Sequence, residues 1–463
     1  FGIVLRLKNN NYPEKPMSLL KKLTIAASIA GLAACGADDD GDAYVRILHA
    51  SPDAQAVDVY VNGELQLSDV AFQDGTGYLK LSDGNANIEL RLAGTDTVAA
   101  SYAESLNSNA YYAAIAVNQA SDLEITVFDE TDAVTDGDID LRVLHAAPAA
   151  SSTDVDVFVT EPDAELGSTP QVNALAYLSK QLIEGVEDGS YQIRVTADGS
   201  TDIIYDSGSV DVSDDAIVVA VNSEQGRSSI SLLVWAGPAA TAVLDNTSEL
   251  RIVHAVDTAD VDVYTNGELY LEDVSYTDVT EYLVLEAGEL PITVVAADAA
   301  LDDDNNPSGL STSLDLERGE SYTLVASGSS DDFDKATFIF LTDQREPEDE
   351  SAAYLRYVHA STDNTVANSD LFIYSGGSYV EPDDDTENPD FKRTGFSRGD
   401  ESGYVERAAA ITYEIDVTTP NTTPDLVSGL GPVTPAAGDI KTTVIIGKSG
   451  PVALELSSDN RAD

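Results

Sequence analysis

Short runs in which apolar and polar residues alternate fill most of the chain, and clusters of Gly, Asp, Asn and Ser separate them. In the first part of the pattern these runs occupy residues 78–81, 88–92, 111–117 and 123–128. Alternation with a period of two between turn residues is typical of β-strands rather than helices. With two opening strands and a short one near Leu65, the pattern predicts about seven strands in roughly a hundred residues. Such a count and spacing indicate an all-β protein with Ig-like β-sandwiches.

The opening strand of this pattern occurs four times. Each copy has an Arg, two apolar or aromatic residues, a His and an Ala, and a second strand with an Asp at a fixed place follows. The repeated residues are Arg46, His49 and Asp58; Arg142, His145 and Asp156; Arg251, His254 and Asp262; and Arg356, His359 and Asp370. The repetition predicts four tandem β-sandwich modules. Their predicted limits are 44–130, 140–237, 249–343 and a divergent 354–457, with linkers at 131–139, 238–248 and 344–353.

Four repeats of this size also predict an extended particle. Each is long enough to have a core of its own, so each module is expected to fold alone. Modules of about 35 Å placed end to end would extend over roughly 130 Å. The divergent fourth repeat would then lie at the distal end and carry any adhesive contact.

The first repeat carries a specific family resemblance. The string RILHASPDAQAVDVYVNG at 46–63, followed by LSDVAF at 67–72 and GYL at 77–79, resembles the bacterial domain of unknown function 4397 family. Repeats one and three match best, whereas repeat two departs after Phe158 and repeat four keeps little of the second strand. Domains of this family occur in tandem in exported and surface-anchored proteins. The resemblance therefore implies an exported protein of tandem modules, and it implies no activity.

The amino end resembles an export signal. Two lysines follow Met17, the only methionine, and precede an apolar run at 23–32 and two alanines. A run of this length is too short to span a bilayer, which needs about 20 residues. The sequence thus predicts an upstream, non-native extension at 1–16 and a signal peptide at 17–34.

Cys35, the single cysteine, directly follows those alanines. The string LAAC at 32–35 is similar to the lipobox of bacterial lipoproteins, in which the cysteine is lipidated and becomes the first residue. This resemblance implies lipid attachment at Cys35 and a lipidated acidic tether at 35–43. Because Gly36 and not Asp follows, it also implies an outer-membrane, surface-exposed lipoprotein held to the membrane by its lipid.

Charge and cysteine content exclude two classes of protein. Lys and Arg number 24 against 82 Asp and Glu, which gives a formal net charge of −58. Phosphate binding rests on clustered cations, so nucleic acid is excluded as a partner. One cysteine excludes a disulfide scaffold.

Each repeated histidine shares a strand face with aliphatic residues. His49 alternates with Val45 and Ile47, and the third repeat has the same arrangement. These histidines are predicted to be buried structural groups. One histidine per module does not supply the three or four ligands that zinc needs.

The four repeated arginines stand out in a chain poor in cations. Since Arg46 and Asp58 lie on neighbouring strands of the pattern, we predict a cross-strand Arg–Asp contact within each module. The alternative is that the arginines form a cluster that binds an anionic ligand.

The single tryptophan is expected in a core. Trp235 takes a place that Phe128 and Phe340 fill in repeats one and three. This equivalence favours packing over a sugar-stacking platform.

Clusters of acidic residues raise the question of calcium, which binds six to eight oxygen ligands. Asp136, Asp138 and Asp140 have the spacing of the first three ligands of an EF-hand loop. Leu141 and Ala147 occupy the places of the required Gly and Glu. The motif therefore fails, and these residues remain weak calcium candidates in a protein for which no cofactor is predicted.

Nucleophile, zincin and phosphate-loop motifs are missing from the sequence. The chain is therefore predicted to be a non-catalytic envelope lipoprotein that acts as a structural or adhesive element, with an extracellular protein or polysaccharide as partner. One alternative is a calcium-assisted module that binds polysaccharide or another envelope component. The other is a hydrolase with an unrecognised site.

Overall fold

A computed structural model of the chain describes residues 41–132, 139–257, 260–297, 309–329, 336–377, 379, 390–420, 422, 429–456 and 459–460. Strands dominate these ranges, and two short 3-10 helices, Ala120–Asp122 and Pro148–Ala150, lie between them. The strands form eight sheets, two in each repeat. The predicted all-β fold of tandem sandwiches is confirmed. No helix within the described ranges is long and apolar enough to cross a membrane.

The first two repeats contain seventeen strands. Repeat 1 has β1 (Asp42–His49), β2 (Val57–Val61), β3 (Glu64–Val70), β4 (Leu79–Ser82), β5 (Gly84–Leu92), β6 (Val98–Leu106), β7 (Tyr111–Val117) and β8 (Glu124–Asp129). Repeat 2 has β9 (Ile139–His145), β10 (Val155–Thr160), β11 (Val172–Leu175), β12 (Lys180–Val186), β13 (Gly189–Ala197), β14 (Ile203–Val212), β15 (Ala216–Asn222), β16 (Ile230–Trp235) and β17 (Thr241–Val243).

The last two repeats contain eight described strands each. Repeat 3 has β18 (Thr247–Asp257), β19 (Val261–Thr265), β20 (Glu268–Val274), β21 (Leu283–Glu286), β22 (Gly288–Ala296), β23 (Leu310–Leu316), β24 (Ser321–Ser329) and β25 (Thr337–Thr342). Repeat 4 has β26 (Ala352–His359), β27 (Asn368–Ser375), β28 (Phe391–Ser397), β29 (Val405–Ala408), β30 (Tyr413–Thr418), β31 (Gly429–Val433), β32 (Ile440–Ile446) and β33 (Val452–Glu455).

Every repeat divides its strands between two sheets in the same way. We call the sheet with the repeat's first strand the inner sheet, ordered β4-β1-β7-β8 in repeat 1, and the other the outer sheet, ordered β3-β2-β5-β6. The first strand pairs in parallel with the seventh, so that Arg46 lies opposite Ala113. The remaining strand pairs are antiparallel. The strand that the sequence pattern missed is β6, because its many Ala and Ser residues give no apolar alternation.

Side chains of the first strand alternate between the two faces of the inner sheet, as the sequence pattern predicts. Val45 and Ile47 face the interior of the repeat 1 sandwich, where they join a core of buried residues from both sheets. Leu48 points to the other face of the inner sheet. Although Leu48 points away from the interior of its own sandwich, it is also fully buried.

The inner sheets of neighbouring repeats pack face to face and bury these residues. One apolar cluster combines Leu48, Ile115 and Phe128 of repeat 1 with Leu233 and Trp235 of repeat 2. A second apolar cluster joins repeats 3 and 4 in the same way, through Val253, Val325, Leu341, Val358, Val444 and Leu456. The four modules are thus arranged as two face-to-face pairs.

This arrangement corrects two expectations. Because neighbouring modules pack face to face through their inner sheets, they do not form the predicted rod of four end-to-end units. The segment 238–248, predicted as a linker, contains β17, which adds a fifth strand to the inner sheet of repeat 2, and the first residues of β18. Trp235 is fully buried between the modules, in agreement with the predicted core packing. In the strand register, Trp235 corresponds to Phe128 and Leu341 and not to Phe340.

Candidate functional site

The repeated arginines lie at the centre of the two module interfaces. In the second pair, Arg251 and Arg356 are 0% and 1% exposed. Arg251 contacts Asp459 of repeat 4 at 2.6 Å, and Arg356 of repeat 4 forms an ion pair with Asp343 of repeat 3. Each arginine therefore binds a carboxylate of the other module, which is the reciprocal pattern of an isologous interface.

Hydroxyl groups complete this buried centre. Tyr282 and Thr323 donate hydrogen bonds to Asp343 at 2.7 and 2.6 Å. Thr442 and Tyr404 donate to Asp459 at 2.6 and 3.0 Å. The two tyrosine rings also stack on the guanidinium groups, with Arg251 4.7 Å from the Tyr282 ring and Arg356 4.4 Å from the Tyr404 ring.

Burial raises the pKa of Tyr282 and of Tyr404 far above the ordinary value. Both phenols therefore stay neutral donors throughout the physiological pH range. Two arginines and two aspartates give the centre a balanced formal charge, which a buried cluster needs.

Repeat 1 places Arg46 in a related centre with a different connection. Its Nε donates to Glu130 at 2.8 Å, and Tyr78 donates to the same carboxylate at 3.0 Å. The Arg46 guanidinium lies 4.1 Å from the ring of Trp235 in repeat 2, and its Nη1 donates to the Trp235 carbonyl at 3.3 Å. Arg46 thus pairs with an acid of its own module and stacks on the other module.

The predicted Arg–Asp contact within each module is wrong. Arg46 lies on the inner sheet and Asp58 on the outer sheet, and the same division separates the repeated Arg and Asp in every repeat. The acids that pair most closely with Arg46, Arg251 and Arg356 follow the last strand of a repeat, as Glu130, Asp343 and Asp459 do. In a chain with 82 acidic residues, no spacing distinguishes these three. Nor do the arginines gather in a single cluster, since they lie at two separate interfaces.

The repeated aspartates instead fix bends of the outer sheet. Asp58 accepts the backbone N–H groups of Asp69 and Gly94 at 2.9 and 3.0 Å. Asp156 accepts those of Ala174 and Gly199 at 2.8 and 3.0 Å. The corresponding contacts in repeats 3 and 4 are Asp262 with Asp273 and Asp370 with Gly395. All these donor residues have positive φ, a backbone conformation that residues other than glycine rarely adopt. Each carboxylate therefore stabilises an unfavourable backbone conformation at a bend of the sheet.

The four repeated histidines are at most 1% exposed. The Nε2 of His359 donates to the Val366 carbonyl at 2.8 Å, and that of His49 lies 3.3 Å from the Gln55 carbonyl. Backbone groups of each histidine also bind the segment between the third and fourth strands. In His49 and His359 the ring thus contacts the loop after the first strand, while in all four repeats the histidine backbone binds the second loop.

Burial lowers the pKa of His49, His145 and His359 below the ordinary value of 6.5. A neutral buried histidine stabilises the fold above about pH 6.5, and this contribution is lost as the pH falls through the folded-state pKa. We expect His359→Leu to lower the stability by about 1–3 kcal/mol at pH 7.5, because the Val366 carbonyl loses its donor. The difference in melting temperature between wild type and variant should shrink by pH 5. A gap that widens on acidification would contradict the assignment, and taking the difference cancels the titration of the many carboxylates.

Comparison with known proteins agrees with the repeats. Residues 43–158 and 248–366 match the family described as Domain of unknown function (DUF4397). The chain belongs to this family. Each DUF4397 match begins at the first strand of an odd-numbered repeat and runs into the opening of the next repeat. The matched unit thus includes the first strands of both members of a pair.

Solved structures and curated proteins add little to the DUF4397 assignment. The Bacillus anthracis TIE protein is similar with 11% identity and a TM-score of 0.16, over 89% of this chain and 69% of that chain. A streptococcal ancillary pilin is similar with 9% identity and a TM-score of 0.13, over 60% of this chain and 96% of that chain. No curated protein matches the sequence.

The calcium and lipid candidates fall mostly outside the described residues. Asp136, Asp138 and Cys35 lie in ranges that the structure does not describe. Asp140 is buried, and its Oδ1 accepts the N–H of Gly185 at 3.0 Å. Within the described ranges, no group of three or more His, Cys, Asp or Glu residues could hold a metal ion.

Proposed function

We propose that this DUF4397 protein is a non-catalytic cell-envelope lipoprotein whose paired modules form a rigid adhesive or binding element at the cell surface. One observation carries the proposal. All twelve repeated Arg, His and Asp residues are 8% exposed or less. Chemistry on an external substrate needs groups that the substrate can reach. The repeated residues instead stabilise turns and module interfaces, so the repetition preserves architecture.

Rigidity within each pair supports the same role. In the first pair, the apolar cluster that contains Leu48 and Trp235 joins the two sandwiches through their inner sheets. In the second pair, the buried arginine centre does so. Contacts between the pairs include hydrogen bonds from Asn246 to Asp206 and from Arg318 to Ser207. Two stiff double modules on a lipidated tether would present the outer sheets to the surroundings.

The excess of acidic groups defines what the surface can meet. A formal charge of −58 repels anionic lipid headgroups and polyanions and keeps the protein soluble. A neutral polysaccharide or an extracellular protein is the partner class that fits such a surface.

The role is tested in cells that produce the full chain, the Cys35→Ser variant or neither. We expect the wild-type chain to partition into detergent and to increase attachment to polysaccharide-coated or protein-coated surfaces. Cys35→Ser should partition into water and remove that increase, because a folded but unanchored protein leaves the cell. Hydrolysis of an envelope polymer by the purified chain, or attachment independent of the anchor, would contradict the proposal.

A further inference from the structure

Arg142 holds the position of the repeated arginine without the partners that this residue has in the other repeats. Strand register places Leu182 opposite Arg142, where the other repeats have a tyrosine. Gly237 takes the place of the acid, two residues after the position shared by Trp235 and Phe128. The three tyrosines so replaced are Tyr78, Tyr282 and Tyr404. Repeat 2 has therefore lost both the ring and the carboxylate of this centre.

The guanidinium is nevertheless buried. Arg142 is 6% exposed, and its side chain donates no hydrogen bond to any residue in the described part of the chain. Its one ion pair there is with Asp215 at 3.9 Å, and that carboxylate already accepts the Asp140 N–H at 2.7 Å. Arg46, Arg251 and Arg356 each donate two or more hydrogen bonds. A buried guanidinium with five donors and no hydrogen-bonded acceptor is costly unless a ligand supplies one.

A cavity of about 520 Å³ opens onto this arginine. Arg142, Leu182 and Lys180 line it from repeat 2, and Phe128 and Asp129 from repeat 1. Its size is that of a small-molecule site. Leu182, which stands where the other repeats have a tyrosine, is one of its lining residues.

Charge around the cavity restricts the ligand. Lys180 uses one of its three ammonium donors on the Val127 carbonyl, whereas no described residue accepts a hydrogen bond from any of the five side-chain donors of Arg142. Asp129, Asp132, Asp140 and Glu184 also line the cavity. A simple anion would be repelled by these carboxylates, whereas a ligand that carries an ammonium group next to its carboxylate would meet both charges.

We propose that the junction of repeats 1 and 2 binds a small zwitterion of the amino-acid type, with its carboxylate on Arg142 and its ammonium group toward the acidic rim. The ligand carboxylate supplies the acceptor that the Arg142 side chain lacks, and a planar side chain lies beside Leu182, where the other repeats have a tyrosine ring. This site goes beyond the surface role proposed above, and neither depends on the other.

Calorimetric titration of the full chain with glycine and with L-phenylalanine tests the site. Acetate and methylammonium serve as the separate halves of the ligand. Both amino acids should bind saturably and L-phenylalanine more tightly, because it fills the ring space. Acetate and methylammonium should each bind at least about tenfold more weakly, since each meets only part of the site.

Two variants separate the site from folding. Arg142→Leu should abolish binding without unfolding the chain, because an apolar group replaces a buried charge that makes no hydrogen bond. Leu182→Tyr restores the ring that the repeated arginine faces in the other repeats and fills part of the cavity from its own wall. This variant should also weaken binding, and it should leave the melting temperature no lower than that of the wild type.

Two results would overturn the site, and a third would overturn the class of ligand. One is the lack of saturable heat with either amino acid at concentrations up to about 10 mM, weaker than any specific site of this size requires. The other is binding that Arg142→Leu leaves unchanged. Acetate that binds as tightly as glycine would overturn the zwitterion assignment.

Discussion

Asp343→Asn is expected to lower the stability of the second module pair by about 3–5 kcal/mol, because removing one partner of a buried ion pair leaves an uncompensated charge. Asp343 meets both Arg356 and Arg251, and both arginines are almost fully buried. The amide keeps the shape of the carboxylate but not its charge. Arg251 would then keep Asp459 at 2.6 Å, whereas Arg356 would keep only the longer ion pair with Glu401 at 3.7 Å.

The measurement uses the uneven distribution of chromophores. Trp235, the only tryptophan, belongs to the first pair. Its fluorescence therefore reports unfolding of repeats 1 and 2, while far-UV circular dichroism reports all four modules. Asp343→Asn should shift part of the dichroism transition to lower denaturant and leave the fluorescence transition in place.

Two controls make this result specific. Asp42→Asn removes an exposed ion pair with Lys80 and should leave both transitions unchanged. Asp343→Asn with Arg356→Met removes one charge of each sign and should recover part of the loss. An Asp343→Asn protein as stable as wild type would show that the buried centre does not hold the pair together.

Much of the fold follows from local pattern. Period-two alternation and turn residues predict the strands of the first repeat apart from β6, and the four copies of the Arg and His motif predict four modules. The face assignment of Val45 and Ile47 also follows, because side chains alternate along a strand. These features depend on residues close together in the sequence.

Contacts between modules depend on pairing that a single repeat does not encode. The sequence of one module does not show that both faces of its inner sheet are buried. It therefore predicts that Arg46 pairs with Asp58, the acid that recurs on the next strand. One sequence signal does point to the interface. The runs at 112–117 and 217–221 are continuously apolar, which is typical of strands buried on both faces. Applied to the seventh strands of repeats 1 and 2, that rule predicts that the inner sheet of each is covered on both sides.

The pair of repeats is therefore expected to be the smallest unit that folds, in place of the single module. Fragments 41–243 and 247–460 should be soluble and monomeric with cooperative unfolding, because each keeps its apolar interface covered. Fragment 41–132 would expose Leu48, Ile115 and Phe128, which are buried only against repeat 2. It should self-associate and bind a hydrophobic dye, since exposed patches of this kind favour association.

Trp235→Ala provides the matched test in the intact chain. Trp235 is 0% exposed and stacks on Arg46, so truncation should cost about 3–5 kcal/mol in the first pair. Dichroism, together with the dye, should show unfolding of repeats 1 and 2 at lower denaturant and no change in repeats 3 and 4. If fragment 41–132 were instead monomeric, dye-free and cooperative, the module would fold alone and the inner sheets would meet only as a secondary contact. The corresponding fragment of repeat 3, residues 247–343, is expected to self-associate and to bind the dye more strongly than fragment 41–132. The reason is that loss of repeat 4 also leaves Arg251 without Asp459.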